Sequence, residues 1–279
     1  MDEKLKLSMS TLSFQDWELE RLLKVCRESG IEALELRLGL SEWSRQDMDQ
    51  RECGSLMHKL SEYGLSISDL GTCVCVSGYR KDALEELERN MQLAERLGVK
   101  GLRIMFGNYR NRWSEDTAAP DYEGICRWIQ EADRLAGENG REIWIETHYE
   151  FATGRMLEKL FADCGLKNCR VVWDVMHPLE QKESMEETLS CIGQYLVHVH
   201  IKDGSPWPDE DMASWKYQKV GEGSVPLRHF VKLLRAGGYT GYYSLEWESM
   251  WHDEIKGYDG EEIIRDYGAY MKAVFRERG

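Results

Sequence analysis

Four short apolar runs in the second half of the chain each end on a side chain able to bind a metal. Ile143-Trp144-Ile145 ends on Glu146, with His148 just beyond it. Val171-Val172-Trp173 ends on Asp174, followed after about one helical turn by His177. Leu196-Val197-His198-Val199 ends on His200, and Tyr242-Tyr243-Ser244-Leu245 ends on Glu246. A parallel strand is buried on both faces, so it reads as a near-continuous apolar run. Core packing gives no reason for a charge at the end of such a run. When parallel strands close into a barrel, their C-terminal ends converge on one mouth, where active sites sit. Two glutamates, an aspartate and a histidine meeting there form a divalent-metal site.

The rest of the chain supplies the other half of such a barrel. Strands are expected at Leu5–Thr11, Ala33–Leu38, Leu65–Val76 and Gly101–Met105. Helical periodicity falls between and after the strands, at Asp16–Ser29, Asp47–Tyr63, Asp82–Leu97, Pro120–Asn139, Gly154–Asp163, Ser184–Ile192, Leu227–Ala236 and Glu261–Arg276. Glycines punctuate the helix-to-strand turns, as in Ser29-Gly30-Ile31 and Tyr63-Gly64-Leu65. Strands alternating with helices of this length indicate βαβ units and a parallel sheet. Eight alternations predict an α/β fold with a single (β/α)8 TIM barrel over residues 1–279, close to the ~250 residues that fold needs. A doubly wound sheet would want a glycine-rich turn after its first strand, and Ser10-Thr11-Leu12-Ser13 is not one. No linker or low-complexity stretch divides the chain.

Charge and cysteine usage narrow the partners. A formal net charge of −14 argues against a phosphate backbone as ligand. No run reaches the ~18 apolar residues of a membrane span, and the charged start Met1-Asp2-Glu3-Lys4 carries no secretory signal pattern. The eight cysteines form no C-x-x-C, which fits free thiols in a reducing cytoplasm. Cys73 and Cys75 share one side of their strand and read as core packing. Three strand-to-helix loops are long and aromatic: Phe106–Ala119 with Tyr109 and Trp113, Lys202–Pro226 with Trp207, Trp215 and Tyr217, and Trp247–Gly260 with Trp251 and Tyr258. Long loops on one face of a rigid scaffold usually carry function. The polar stretch Asp203–Asp211 reads equally as a solvated loop or as a lid over a small polar substrate.

Five segments together resemble the xylose-isomerase-like sugar phosphate isomerase/epimerase superfamily. They are Ile145-Glu146-Thr147-His148, Trp173-Asp174-Val175-Met176-His177, His198-Val199-His200-Ile201-Lys202-Asp203, Val220–Pro226 and Gly238–Glu246. The resemblance runs over essentially the whole chain, and the group includes ketose 3-epimerases and inosose isomerases and dehydratases. It implies one divalent metal ion held by Glu146, Asp174, His200 and Glu246, and a substrate-binding role for His177. In ketose epimerases an arginine a few residues past the metal histidine grips the substrate. Here that stretch is Ile201-Lys202-Asp203-Gly204-Ser205-Pro206, with no arginine.

Three carboxylates and an imidazole suit Mn²⁺ foremost, and also Co²⁺, Mg²⁺ or Zn²⁺. A chelated hydroxy-ketone would lose the proton next to its carbonyl, the metal stabilising the enediolate. Glu146 and Glu246 are the expected catalytic pair, one removing the proton and the other returning it. His177, His148, Lys202 and Trp113 are the candidates for holding a small carbohydrate. His198 stays open between partnering the site and plain packing, and Glu35 with Arg37 reads as a structural pair low in the mouth.

The same enediolate leads to epimerisation, to isomerisation, or to loss of a β-hydroxyl. The first expectation is therefore a metal-dependent isomerase or epimerase of a sugar, keto-sugar or inosose. The alternative is a lyase on the same scaffold, dehydrating a keto-polyol or dehydroshikimate-like acid or eliminating from an oxidised glycoside. A DNA-repair nuclease is disfavoured by the charge and by only seven histidines, and a non-catalytic sugar-binding protein by the intact ligand quartet. No nucleic-acid or membrane partner is expected. Oligomeric state stays open, a homo-oligomer included.

Overall fold

The computed structural model describes residues 4–107, 119–208 and 214–277. Eight parallel strands close into a barrel: β1 (Leu7–Ser10), β2 (Ala33–Arg37), β3 (Ser66–Val76), β4 (Gly101–Phe106), β5 (Glu142–Glu146), β6 (Cys169–Asp174), β7 (Leu196–Ile201) and β10 (Tyr242–Leu245). Around the barrel the order is β1-β10-β7-β6-β5-β4-β3-β2, so each strand pairs with its sequence neighbours and β10 closes onto β1. The expected TIM barrel is the fold.

Amphipathic helices cover the outside: α1 (Leu19–Ser29), α2 (Gln50–Glu62), α3 (Lys81–Arg96), α4 (Tyr122–Glu138), α5 (Gly154–Cys164), α7 (Met185–Ile192), α8 (Leu227–Ala236) and α9 (Gly260–Arg276). Several start later than periodicity suggests, because polar caps set the boundary. Asp49 and Glu52 form a reciprocal capping box that starts α2 at Gln50 rather than Asp47. Asp121 accepts the Gly124 N–H and starts α4 at Tyr122 rather than Pro120. Gly30 ends α1 in the left-handed conformation, φ 80°, and its N–H returns to the Arg27 carbonyl.

Two pieces at the mouth were not foreseen. A short helix, α6 (Met176–Glu180), follows β6 directly. The Lys202–Pro226 stretch is not all loop: β8 (Asp203–Ser205) and β9 (Lys216–Gln218) pair antiparallel. The end of β3 also departs from expectation. Its pairing with β2 stops at Gly71, and its register with β4 shifts between Gly71 and Cys75. Past that shift Cys73 is exposed and Cys75 half-buried, so the two are not core cysteines.

The barrel interior is polar where TIM barrels usually stack branched apolar side chains. Side chains two residues apart share a face of a strand. Ser8, Ser10, Glu35, Asp69, Arg103, His198, His200 and Ser244 are all buried there. The floor is closed by an indole. Trp144 lies against Gly101, where an added Cβ would fall 2.2 Å from Trp144 Cε2. Its ring centroid is 5.7 Å from that of His198, one layer higher. Among the described residues no helix is long and apolar enough to cross a membrane.

Candidate metal centre at the barrel mouth

Glu146 ends β5, Asp174 ends β6, His200 lies one residue from the end of β7, and Glu246 directly follows β10. The sheet register aligns them: Asp174 pairs with His200, and His200 with Ser244, two residues before Glu246. The four residues are buried, and one ligand atom from each lies within 4.8 Å of the others. His200 Nδ1 is 3.2 Å from Glu146 Oε1, 3.1 Å from Glu246 Oε2 and 4.0 Å from Asp174 Oδ2. Asp174 Oδ2 and Glu246 Oε2 are buried without an aligned hydrogen bond. Buried carboxylates need a cation, which Lys202 supplies to both oxygens in this structure and which a metal ion could share. Hard oxygens with one imidazole nitrogen fit a divalent ion of the Mn²⁺, Mg²⁺, Co²⁺ or Zn²⁺ kind.

Protein cations already stand among these oxygens. Lys202 Nζ is 2.8 Å from Asp174 Oδ2, 2.7 Å from Glu246 Oε2 and 2.9 Å from Glu248 Oε1. Burial works against its charge, but the three carboxylates outweigh it and hold the lysine well above its ordinary pKa. Arg103, on β4, donates from Nη1 to Glu146 Oε2 and sets its Nε 3.4 Å from Glu35 Oε1. Burial raises the pKa of Glu146 and Glu246, yet Arg103 and His200 on the first, and His200 and Lys202 on the second, bring both well below the usual carboxylate range. Asp69, one layer down, goes the other way: burial and the neighbouring Glu35 push it well above.

Glu35 is not paired with Arg37. Its Oε2 accepts a hydrogen bond from His200 Nε2 at 2.7 Å, while Arg37 Nη1 donates to the Gly71 carbonyl at 3.1 Å and to Cys73 Sγ at 3.0 Å. Among the described residues His198 has no hydrogen-bond partner at either ring nitrogen, and burial drops its pKa to about 3, so it sits neutral beneath the cluster.

The expected substrate contacts fall beside the quartet. His177, on α6, places Nδ1 2.5 Å from the Thr147 carbonyl, so that nitrogen carries the proton and Nε2 is left for another group. His148 crosses it edge-on, ring centroids 4.5 Å apart, and burial next to His177 lowers its pKa to about 3. Trp113 lies outside the described residues. Arg103 and Glu248 were missed by sequence reasoning. Arg103 carried a signal, a lone charge inside the apolar run Leu102–Phe106.

Above the site the hairpin and the loop after β10 are tied together. The Tyr217 ring stacks on His252 at 3.7 Å, and the Tyr217 N–H donates to Glu254 Oε1 at 3.1 Å. His252 Nε2 is 3.3 Å from Glu248 Oε2, and the Trp215 N–H donates to Glu180 Oε1 at 2.8 Å. The Gly221-Glu222-Gly223 turn cradles no outside anion. It wraps Asp203, whose Oδ2 accepts the Gly221 and Gly223 N–H groups at 2.8 and 3.1 Å. Asp203 Oδ1 accepts from Gly204 and Val225 at 2.8 and 3.1 Å, which anchors the segment next to Lys202.

Residues 23–273 match the family described as the xylose isomerase-like TIM barrel. The chain belongs to this family. A curated relative, fructoselysine 3-epimerase of Escherichia coli O157:H7, is 30% identical over 92 residues; the match spans 33% of this chain and 31% of that protein's length. Among solved structures, the 3-keto-D-glucoside 4-epimerase of E. coli superposes with a TM-score of 0.74 at 17% identity, covering 97% of this chain and 100% of that one. The probable 3-DHS dehydratase of Bacillus anthracis gives 0.74 at 16%, covering 96% and 99%. The IOLI protein with a bound zinc atom gives 0.76 at 16%, covering 97% and 98%. At these identities the likeness is one of fold. Epimerases and a dehydratase thus share the xylose isomerase-like barrel seen here.

Proposed function

We propose that the chain is a divalent-metal-dependent isomerase or epimerase of a sugar, keto-sugar or inosose. The observation that carries the reading is the buried convergence of Glu146, Asp174, His200 and Glu246 at the mouth. The named epimerases of the same fold support it. A divalent cation, Mn²⁺ foremost, held by these four residues would supply Lewis acidity at the carbonyl of a hydroxy-ketone.

The chain's own groups divide the rest of the work. Glu146 and Glu246 come from β5 and β10, with β6 and β7 between them, and so flank the substrate from two sides. One takes the proton next to the carbonyl, and the other returns it to the opposite face. Arg103 occupies Oε2 of Glu146 and leaves Oε1 to face the site. His177 offers Nε2 to a substrate hydroxyl, with neutral His148 packed against it. Lys202 keeps Glu246 anionic and contacts the substrate's oxygen edge. The partner is a small carbohydrate, not a nucleic acid or a membrane.

The decisive test incubates metal-loaded protein with ketoses, inososes and keto-acids in D₂O. Deuterium at the α-carbon with the carbon skeleton retained is the expected result. No exchange on any substrate would overturn the reading. One second outcome has the support of a shared fold: the probable 3-DHS dehydratase superposes on the same barrel, and a new ultraviolet-absorbing enone would mark dehydratase chemistry here.

A further inference from the structure

Glu35 touches none of the groups placed against substrate, yet it holds one of the candidate metal ligands. It projects from β2, three strands from β7 around the barrel. Its carboxylate has two distinct jobs. Oε1 accepts the Ser10 hydroxyl at 3.1 Å and faces Arg103 Nε at 3.4 Å. Oε2 lies 2.7 Å from His200 Nε2. An ionised carboxylate only accepts, so the proton of this hydrogen bond sits on Nε2. The other ring nitrogen, Nδ1, also faces carboxylates, Glu146 Oε1 and Glu246 Oε2 at 3.2 and 3.1 Å, so it too carries a proton until a metal ion takes that proton's place.

The seat for this carboxylate is built by an absent side chain. A Cβ at Gly71, on β3, would fall 2.7 Å from Glu35 Oε1 and 3.3 Å from Arg103 Nη2. Glycine at this position lets a full glutamate lie across the barrel axis.

We infer that Glu35 is the positioning residue of the metal centre, holding the His200 ring by Nε2–H so that Nδ1, facing the other ligand residues, is the nitrogen a metal ion would take. A histidine ligand whose second nitrogen donates to a carboxylate gains basicity and a fixed ring orientation, and loss of such a partner typically costs about 10–100-fold in metal affinity. The inference rests on the reading of the quartet as a metal site, so the experiment separates the two.

Zn²⁺ affinity is measured by chelator competition on wild-type protein, Glu35→Leu, Glu35→Gln, Gly71→Ala and Asp174→Ala. Folding is checked by circular dichroism, and His200 is followed by ¹⁵N NMR of the zinc-loaded protein. Glu35→Leu removes charge and acceptor together and should bind about 10–100-fold more weakly, with the His200 tautomer no longer single. Glu35→Gln removes the charge but keeps an oxygen that accepts the Nε2 proton, so it should recover most of the affinity and the single tautomer. If Glu35 were only a counter-charge for Arg103, the two variants would weaken binding equally, and that result overturns the inference. Wild-type affinity in Glu35→Leu, beside lost binding in Asp174→Ala, overturns it as well. Wild-type affinity in Asp174→Ala would instead strike at the metal site itself. Should Glu35→Leu fail to fold, Gly71→Ala keeps the charge and displaces the carboxylate. It should then weaken Zn²⁺ and disturb the tautomer, and an unchanged Gly71→Ala would count against the inference.

Discussion

Lys202 Nζ lies 2.7 Å from Glu246 Oε2, the oxygen that also stands 3.1 Å from His200 Nδ1. One carboxylate oxygen thus serves a lysine ammonium and faces a candidate ligand nitrogen. Removing the lysine leaves Asp174, Glu246 and Glu248 without their shared cation.

Lys202→Met is therefore expected to destabilise the chelator-treated protein by roughly 3–5 kcal/mol, the usual cost of breaking a buried ion pair from one side. Excess divalent metal should recover a large part of that loss, because it supplies positive charge to the same oxygens. Urea denaturation with and without metal reads both quantities. Equal stability of wild type and variant in chelator would show that the ammonium does not neutralise the cluster.

Glu246→Gln should keep the fold and abolish turnover, by at least the ~10²–10⁴-fold that general base catalysis contributes. Glu146→Gln should behave alike. Solvent exchange separates their roles: the variant that still exchanges the substrate's α-hydrogen with D₂O while making no product has lost the returning acid. Near-native turnover in both would make the carboxylates structural.

Metal should stabilise the folded chain by mass action. At a free concentration about 100 times its dissociation constant, a bound ion adds about 2.7 kcal/mol. Chelation should lower the melting temperature of the wild type, and Asp174→Ala should show no such response. A chelator-insensitive wild-type melt is the contrary result.

The barrel floor carries a pH-dependent contribution. Burial raises the pKa of Glu142, but Lys100 at 2.9 Å, the Trp144 indole N–H at 3.1 Å and Arg170 at 3.4 Å outweigh it and bring it below the ordinary value. A depressed carboxyl stabilises the fold above its unfolded pKa of about 4.3, and that stabilisation fades as pH falls through the lower folded value. Glu142→Gln should be less stable than wild type at neutral pH, with the gap closing below about pH 4. A gap constant from pH 7 to pH 3 would assign the effect to packing.

The architecture was legible because each strand of a parallel barrel is buried on both faces, which makes its terminal charge conspicuous. Glu146, Asp174, His200 and Glu246 stood out for that reason. The hairpin at Asp203–Ser205 and Lys216–Gln218 was not legible, since three-residue strands carry too little alternation to rise above a polar loop. Glu35 was misread because local spacing puts it on the same face as Arg37, while its real partners, Arg103 and His200, arrive from β4 and β7. Their approach depends on the closed barrel and on the missing side chain at Gly71. Lone charges inside apolar strands, such as Glu35, Asp69 and Arg103, were the available clue to a charged interior.

Trp144 against Gly101 makes the barrel a blind shaft, stoppered at its lower end. In such a shaft arrivals queue from one direction. On the proposed reading, a cation at Asp174 and Glu246 would have to come in by the mouth, the same way as a substrate settling above it. Ion and substrate would then share one door, and a bound substrate would slow escape of the ion simply by standing in the way.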